Sequence, residues 1–272
     1  MSRVALATCA EIPDGDEDFP GLIDELAAVG VSAEPAVWDE PGVDWSRYDL
    51  VLPRSTWDYA ERRNEFLEWA RSVPRVLNPP PLLEWNTNKR RYLTDLADAG
   101  VPVVPTTFVD PGETLEPPKG PFVVKPAVSA GGRRSARFED GETDAAQSLV
   151  ARIHREGGTA MVQPYLGDMV EIGLMYVEGR FSHAVRRRVP LPEAGEREVL
   201  YLDEDLAGTD AAPGDRTTAE AALARAGEEL LYGRVDLMAG VVLELEITEP
   251  SLYLTYAEGA AARFAQAIAR CL

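Results

Sequence analysis

Two short segments near the C-terminal end, Arg234-Val235-Asp236 and Glu244-Leu245-Glu246, constrain the fold more than any other part of the chain. Both alternate polar and apolar residues, the period of a strand with one buried face. As paired strands over Arg234 to Met238 and Val241 to Ile247, they set Asp236 opposite Glu244 and Glu246, which share a face. Three carboxylates then converge. Hard oxygen clusters of this kind suit magnesium, which takes a few carboxylates and leaves its other positions to water or phosphate. Taken alone, the two glutamates also fit a solvent-facing strand edge.

A second constraint is the scarcity of lysine. Of 27 basic residues only Lys89, Lys119 and Lys125 are lysines. Arginine-rich usage of this kind also follows from GC-rich coding. Lys125 closes an apolar strand, Phe122 to Lys125, and precedes the small residues Ser129, Ala130, Gly131 and Gly132. A lysine ammonium is a compact point charge, where arginine offers a planar fork, and phosphate is a common target for it. Small residues let backbone N–H groups approach phosphate closely. Each feature alone also fits a surface lysine and a plain turn. Lys89 lies in the first turn of a helix expected over Asn86 to Ala99. Gln163-Pro164-Tyr165-Leu166 ends a strand whose main-chain donors and acceptors suit an adenine edge, and Glu171 beyond it suits ribose hydroxyls. Neither a P-loop nor a GxGxxG run is present, so a bound nucleotide would be held in another way.

The remaining pattern predicts an α/β chain. Residues 3 to 9 read as a buried strand, Phe19 to Gly30 as a helix, Asp49 to Leu52 as a strand and Glu61 to Val73 as a helix. Asn78 to Pro81 reads as a break and the first boundary. Further on come helices over Thr143 to Glu156, Thr218 to Leu231 and Ala257 to Cys271. A strand is expected over Met161 to Tyr165, and a hairpin over Glu171 to Val177 and Phe181 to Val189.

The net charge of -19 argues against a nucleic-acid partner. No apolar run approaches the ~18 residues of a membrane span, and the N-terminus does not read as a signal peptide. Cys9 and Cys271 form no metal or disulfide framework, so a cytoplasmic setting is expected.

In order and spacing, these motifs resemble the ATP-grasp superfamily from about Asn86 to Ser251. The RVD strand, the ELE strand and the proline after it carry the match, with Glu246 where asparagine is more usual. Only Ala239-Gly240 separates the two strands, fewer residues than most members carry. The resemblance implies three subdomains, 1–85 on the substrate side, 86–165 and 166–272, with ATP between the last two. It implies ATP phosphates on Lys89, Lys125 and the Ser129–Gly132 loop, adenine at Gln163, Tyr165 and Leu166, and ribose at Glu171. Magnesium falls to Asp236, Glu244 and Glu246, and charge stabilisation during phosphoryl transfer to Arg234.

The substrate is expected to be small and amino-acid-like. Arg54, Ser55 and Thr56 at a strand end offer donors to it, or pack as structure. In Ser182-His183-Ala184-Val185-Arg186-Arg187-Arg188, alternation puts Arg186 and Arg188 on one face, assigned here to catalysis and substrate respectively, and Arg187 on the other. A solvated basic edge fits the same residues. TCAEIP, STWDY and LELEITEPSL together resemble a bacterial group that includes the cycloserine synthetases, O-ureido-D-serine cyclo-ligases of antibiotic biosynthesis. That implies an acylphosphate followed by ring closure. An intermolecular carboxylate–amine ligase, a non-catalytic nucleotide-binding protein and a metal enzyme without nucleotide remain alternatives, and a homo-oligomer is open.

Overall fold

The structure is a computed structural model describing residues 1–167, 169–188, 205–227 and 229–272. The first sheet is parallel, in the order β2-β1-β3. β1 (Ser2–Thr8) is its centre, and Val4, Ala5, Leu6 and Ala7 are fully buried. α1 (Phe19–Ala28) starts with a proline in its first turn and stops before Gly30 at φ +82°. β2 (Val31–Val37) was not expected; it contains Pro35, which an edge strand tolerates. β3 (Leu50–Ser55) is buried throughout, and α2 (Arg63–Ser72) covers the sheet. β2 and β3 lie on opposite sides of β1, so the C-terminal ends of β1 and β3 form the switch point beside which α/β sheets commonly bind ligands.

The proline run does not break the chain as expected. Pro79 leads into α3 (Pro80–Asn86), because proline is pre-set for a first helical turn. The helix expected from Asn86 instead begins at α4 (Lys89–Asp98), with Asn88 Oδ1 accepting from the Arg90 N–H as cap. The second sheet is antiparallel, in the order β4-β7-β5-β6. It comprises β4 (Thr107–Val109), β5 (Phe122–Pro126), β6 (Ala136–Phe138) and β7 (Ala160–Pro164). α5 (Thr143–Arg155) packs Ala146, Leu149, Val150 and Ile153 onto Phe122, Val124, Phe138 and Val162.

The third sheet runs β10-β9-β8-β11-β12. Its strands are β8 (Glu171–Val177), β9 (Arg180–Arg188), β10 (Asp205–Thr209), β11 (Tyr232–Met238) and β12 (Val241–Glu246). Val189, at the end of the expected hairpin, lies outside the described residues. α6 (Pro213–Leu223) begins and ends earlier than expected, because Pro213 starts it and a tighter turn at Ala224–Ala226 closes it. Leu174, Tyr176, Val235, Leu237 and Leu245 face α4 and α6 across one core. Ala239 and Gly240 have φ of +53° and +79°, and positive φ at both positions lets a two-residue turn join β11 to β12. α7 (Ala260–Arg270) inserts Phe264, Ala265 and Ile268 into the core shared by α1, β1, β3 and β11.

Two buried asparagines fasten the linker to the third sheet. Asn78 Nδ2 donates to the carbonyl oxygens of Tyr232 and Ile247. Asn86 Nδ2 donates to Leu245 O at 2.7 Å, and its Oδ1 accepts from Ile247 N at 3.0 Å. Among the described residues, no helix is long and apolar enough to cross a membrane.

Candidate active site

Pairing of β8 with β9 and β11, and of β11 with β12, puts Glu171, Gly173, Arg187, Arg234, Asp236, Glu244 and Glu246 on the face opposite the α4 and α6 core. Ligand oxygens of Asp236, Glu244 and Glu246 lie within 4.8 Å of one another. Three hard oxygens at that spacing fit a magnesium ion. A Cβ at Gly173 would stand 3.0 Å from Asp236 Oδ1, so the strand beside the cluster needs a residue without a side chain.

Arg234 organises the cluster. Its Nε and Nη2 donate to the two Asp236 oxygens at 2.9 and 3.0 Å, and Nη2 reaches Glu246 at 2.9 Å. Its guanidinium lies 5.3 Å from the centre of the Tyr253 ring. Lys89 pairs with Glu244 and donates to Ser129 O at 2.9 Å. Lys125, half-buried on β5, has no hydrogen bond or ion pair among the described residues. Burial lowers its pKa, against the pull of Glu244. Burial also disfavours charge on Glu244, but Lys89 and Lys125 outweigh it and bring its carboxyl below the usual range. Glu246 and Glu171 shift upward, through burial first and then through repulsion from neighbouring carboxylates.

The arginine run is corrected by the register. Arg187, opposite Glu171, turns into the cluster, with Nε 3.1 Å from Glu171 and Nη1 3.4 Å from Asp236. Arg186, assigned to catalysis, faces the other way and lies 3.8 Å from Asp205 on β10. Arg188, assigned to substrate, is exposed at the end of β9. The alternation was read correctly, but which face meets the carboxylates depends on pairing with β8.

The Ser129–Gly132 loop sits over this face. Ser129 Oγ donates to Pro126 O at 3.2 Å, and Gly131 and Gly132 take φ of +62° and +69°. Arg133 ties the loop to Glu61 of the first 85 residues. At the end of β7 the Gln163 side chain, expected at adenine, is buried and donates to Thr106 Oγ1. Tyr165 N donates to Pro121 O at 2.9 Å, and its ring lies 4.2 Å from the Arg137 guanidinium, with half-buried Leu166 next in the chain. Glu171, expected at ribose, has its carboxylate engaged by Arg187.

Arg54, expected to face substrate, lies in the core. Strand alternation places it with Leu50 and Leu52 on the α7 side of β3, fully buried between the rings of Tyr232 and Phe264. Its Nη1 donates to Pro250 O at 2.9 Å. Ser55 Oγ donates to Asp16 Oδ2 at 2.8 Å, while the buried Thr56 hydroxyl has no partner among the described residues. In the STWDY motif, Asp58 accepts from Trp38 Nε1 and pairs with Arg62, and Tyr59 joins the core.

Arg54 belongs to a row of donors. The carbonyls of Glu249, Pro250, Ser251 and Leu252 accept, in turn, from Trp57 Nε1, Arg54 Nη1, Arg234 Nη1 and His183 Nε2, while the Tyr232 hydroxyl, which donates to Pro53 O at 2.5 Å, lies 3.1 Å from Thr248 O. The Leu254 N–H donates to Asp18 Oδ1 at 2.7 Å. Burial and the neighbouring Asp16 push the Asp18 carboxyl up to about 6. Sequence reasoning missed Arg187, Asp18 and Glu249. A third glutamate just past Glu244 and Glu246 was the available signal for Glu249.

The fold is shared with D-alanine-D-alanine ligase from Bacillus anthracis, in a structure complexed with ATP (15% identity, TM-score 0.67, 99% of this chain and 97% of that one). It is also shared with the ATP-grasp ligase PsnB, in a complex with a phosphomimetic variant of its minimal precursor, Mg and ADP (17%, TM-score 0.63, 99% and 98%). The three-sheet arrangement is therefore that of the ATP-grasp ligases. Similarity goes further with the crystal structure of D-cycloserine synthetase DcsG, at TM-score 0.91 and 37% identity over 99% of both chains. Cycloserine biosynthesis protein DcsG of Streptomyces lavendulae is 38% identical over 299 aligned positions, covering 100% of this chain and 99% of that protein. The model of the DcsG N-terminal domain matches residues 4–78. The chain belongs to the D-cycloserine synthetase DcsG family.

Proposed function

We propose that this ATP-dependent ligase closes O-ureido-D-serine to D-cycloserine. The observation that carries the reading is the Arg234, Asp236, Glu244 and Glu246 constellation, with Lys125, whose ammonium has no partner among the described residues, beside it, in a chain alike to DcsG along its whole length. Magnesium-bound ATP supplies the phosphoryl group that turns the substrate carboxylate into an acylphosphate. The chain's own residues position and neutralise. Asp236, Glu244 and Glu246 hold the ion. Lys89, Lys125 and the Ser129–Gly132 loop hold phosphate oxygens, the Gln163–Leu166 main chain holds adenine, and Glu171 reaches ribose. Arg234 and Arg187 oppose the charge that builds on the phosphoryl group and on the acyl oxygen. The oxygen-bound ureido nitrogen of the same molecule then attacks the acyl carbon, phosphate leaves, and water cleaves the N–C bond to the carbamoyl group, which departs as carbon dioxide and ammonia.

We assign residues 1–85 to the substrate side, with Ser55 and Thr56 beside its switch point, and 86–165 and 166–272 to the two walls of the ATP site. A cytoplasmic setting, where ATP is available, suits the activity. The test is ADP release with Mg-ATP and O-ureido-D-serine as the sole organic substrate, with the product identified. A cyclic product supports the reading. Turnover only after addition of a separate amine would replace it with an intermolecular ligase.

A further inference from the structure

The segment Thr248 to Leu252 has an unusual support. Four successive carbonyls, Glu249 to Leu252, each accept from a side chain, and the donors come from β3, the STWDY turn, β9 and β11. Thr248 Oγ1 also bonds Asn86 Oδ1 at 2.9 Å. The main chain of this strap is therefore pinned from four directions.

One ionisable side chain projects from it. Glu249 is 9% exposed. Among the described residues its carboxylate has no hydrogen bond or ion pair. Lys89 and Arg234 are near enough to attract it, but their short contacts go to Glu244, Asp236 and Glu246. A buried carboxylate without a partner is costly, and a rigid strap gives it no way to swing to solvent. Such an arrangement suits a cation brought by a ligand. Its surroundings narrow the choice. Glu249 stands between the metal cluster and the STWDY segment, and its charge is felt at Tyr59. In an α-amino acid the ammonium is two bonds from the carboxyl carbon, so a carboxylate reacting beside Arg234 carries its ammonium into this space.

We infer that Glu249 binds the α-ammonium group of the amino-acid substrate and so selects α-amino acids from other carboxylates. This rests on the proposed ligase reading. The test compares O-ureido-D-serine with its des-amino analogue, 3-(ureidooxy)propanoate, by calorimetric titration in the presence of Mg-ADP. Wild type should prefer the amino compound by ~10- to 100-fold, the range of a charge-assisted hydrogen bond in a dry site. In Glu249→Gln, which keeps the volume, the preference should fall to a few-fold with Mg-ATP affinity unchanged. Glu249→Asp, which keeps the charge but withdraws it, should lower the same ratio. An undiminished preference in both variants would overturn the assignment. Loss of Mg-ATP affinity in Glu249→Gln would also overturn it, placing the carboxylate on the metal. Failure of wild type to bind O-ureido-D-serine at all would instead remove the substrate reading, and the assignment with it.

Discussion

Arg54 and Arg234 donate to adjacent carbonyls, Pro250 and Ser251, each at 2.9 Å. One arginine comes from the first sheet and the other from the third. The strap they hold thus joins the first sheet to the carboxylate cluster, and disturbing either arginine should be felt at both.

Removing Arg54 tests the strap. Arg54→Ala leaves the Pro250 carbonyl unpaired and opens a cavity between Tyr232 and Phe264. The expected loss is about 2–4 kcal/mol, read from urea unfolding, with a fall in turnover under folding conditions.

Lys125 should behave in the opposite way. Its ammonium has no partner among the described residues, so Lys125→Ala is expected to change stability by less than about 1 kcal/mol. Turnover should drop by ~100-fold or more, as for loss of a positioned charge at a phosphoryl-transfer site. Full activity in this variant would remove Lys125 from the phosphate site.

The register of β9 makes a selective prediction. Arg187→Gln should lower the rate of ADP release by ~100-fold. Arg186→Gln and Arg188→Gln, which face away from the cluster or lie exposed at the strand end, should stay within about twofold. The reverse order would mean that the pairing of Glu171 with Arg187 is not the working one.

Asp18 gives a pH dependence. Its carboxyl titrates at about 6 in the folded chain and near the ordinary 3.9 when unfolded. Between those values the folded state binds more protons. Stability from this group is therefore full below about pH 4 and is lost as pH rises through 6, by about 3 kcal/mol in all. Asp18→Asn retains an oxygen for the Leu254 N–H and should abolish that loss. Denaturation curves at pH 4 and pH 7 for both proteins check it.

Gly173 leaves the room that the carboxylate cluster needs. In Gly173→Ala the new methyl would press on Asp236 Oδ1. The magnesium concentration for half-maximal rate should rise ~10-fold, as expected when a neighbour that orients a metal ligand is disturbed. An unchanged requirement would show that Asp236 does not hold the ion.

What the sequence made legible was local. β8 runs over Glu171 to Val177 as expected, because alternation and the Glu178-Gly179 turn define it within a few residues. Asp236, Glu244 and Glu246 converge for the same reason, and the two-residue turn between their strands is real. What was missed depends on distant partners. Arg54 meets Pro250 across 196 positions of chain, so nothing near Arg54 announces its burial. Arg187 was on the correct side of an alternation whose working face only β8 decides. β4 and β6 are three residues each, too short for a period to show. α3 was read as a break because proline stops a helix from inside but also begins one.

β12 is the outermost strand of its sheet, yet little of its free edge is open. Pro102 and Val104 bond the main chain of Val242, Asn86 imitates a neighbouring strand at Leu245 and Ile247, and Asn78 takes the last carbonyl. An unpaired strand edge is a template on which a second chain can extend a sheet, the usual start of ordered aggregation. Here that template is occupied by two amides and a short stretch of linker, so the strand that carries Glu244 and Glu246 is closed to self-association along its length.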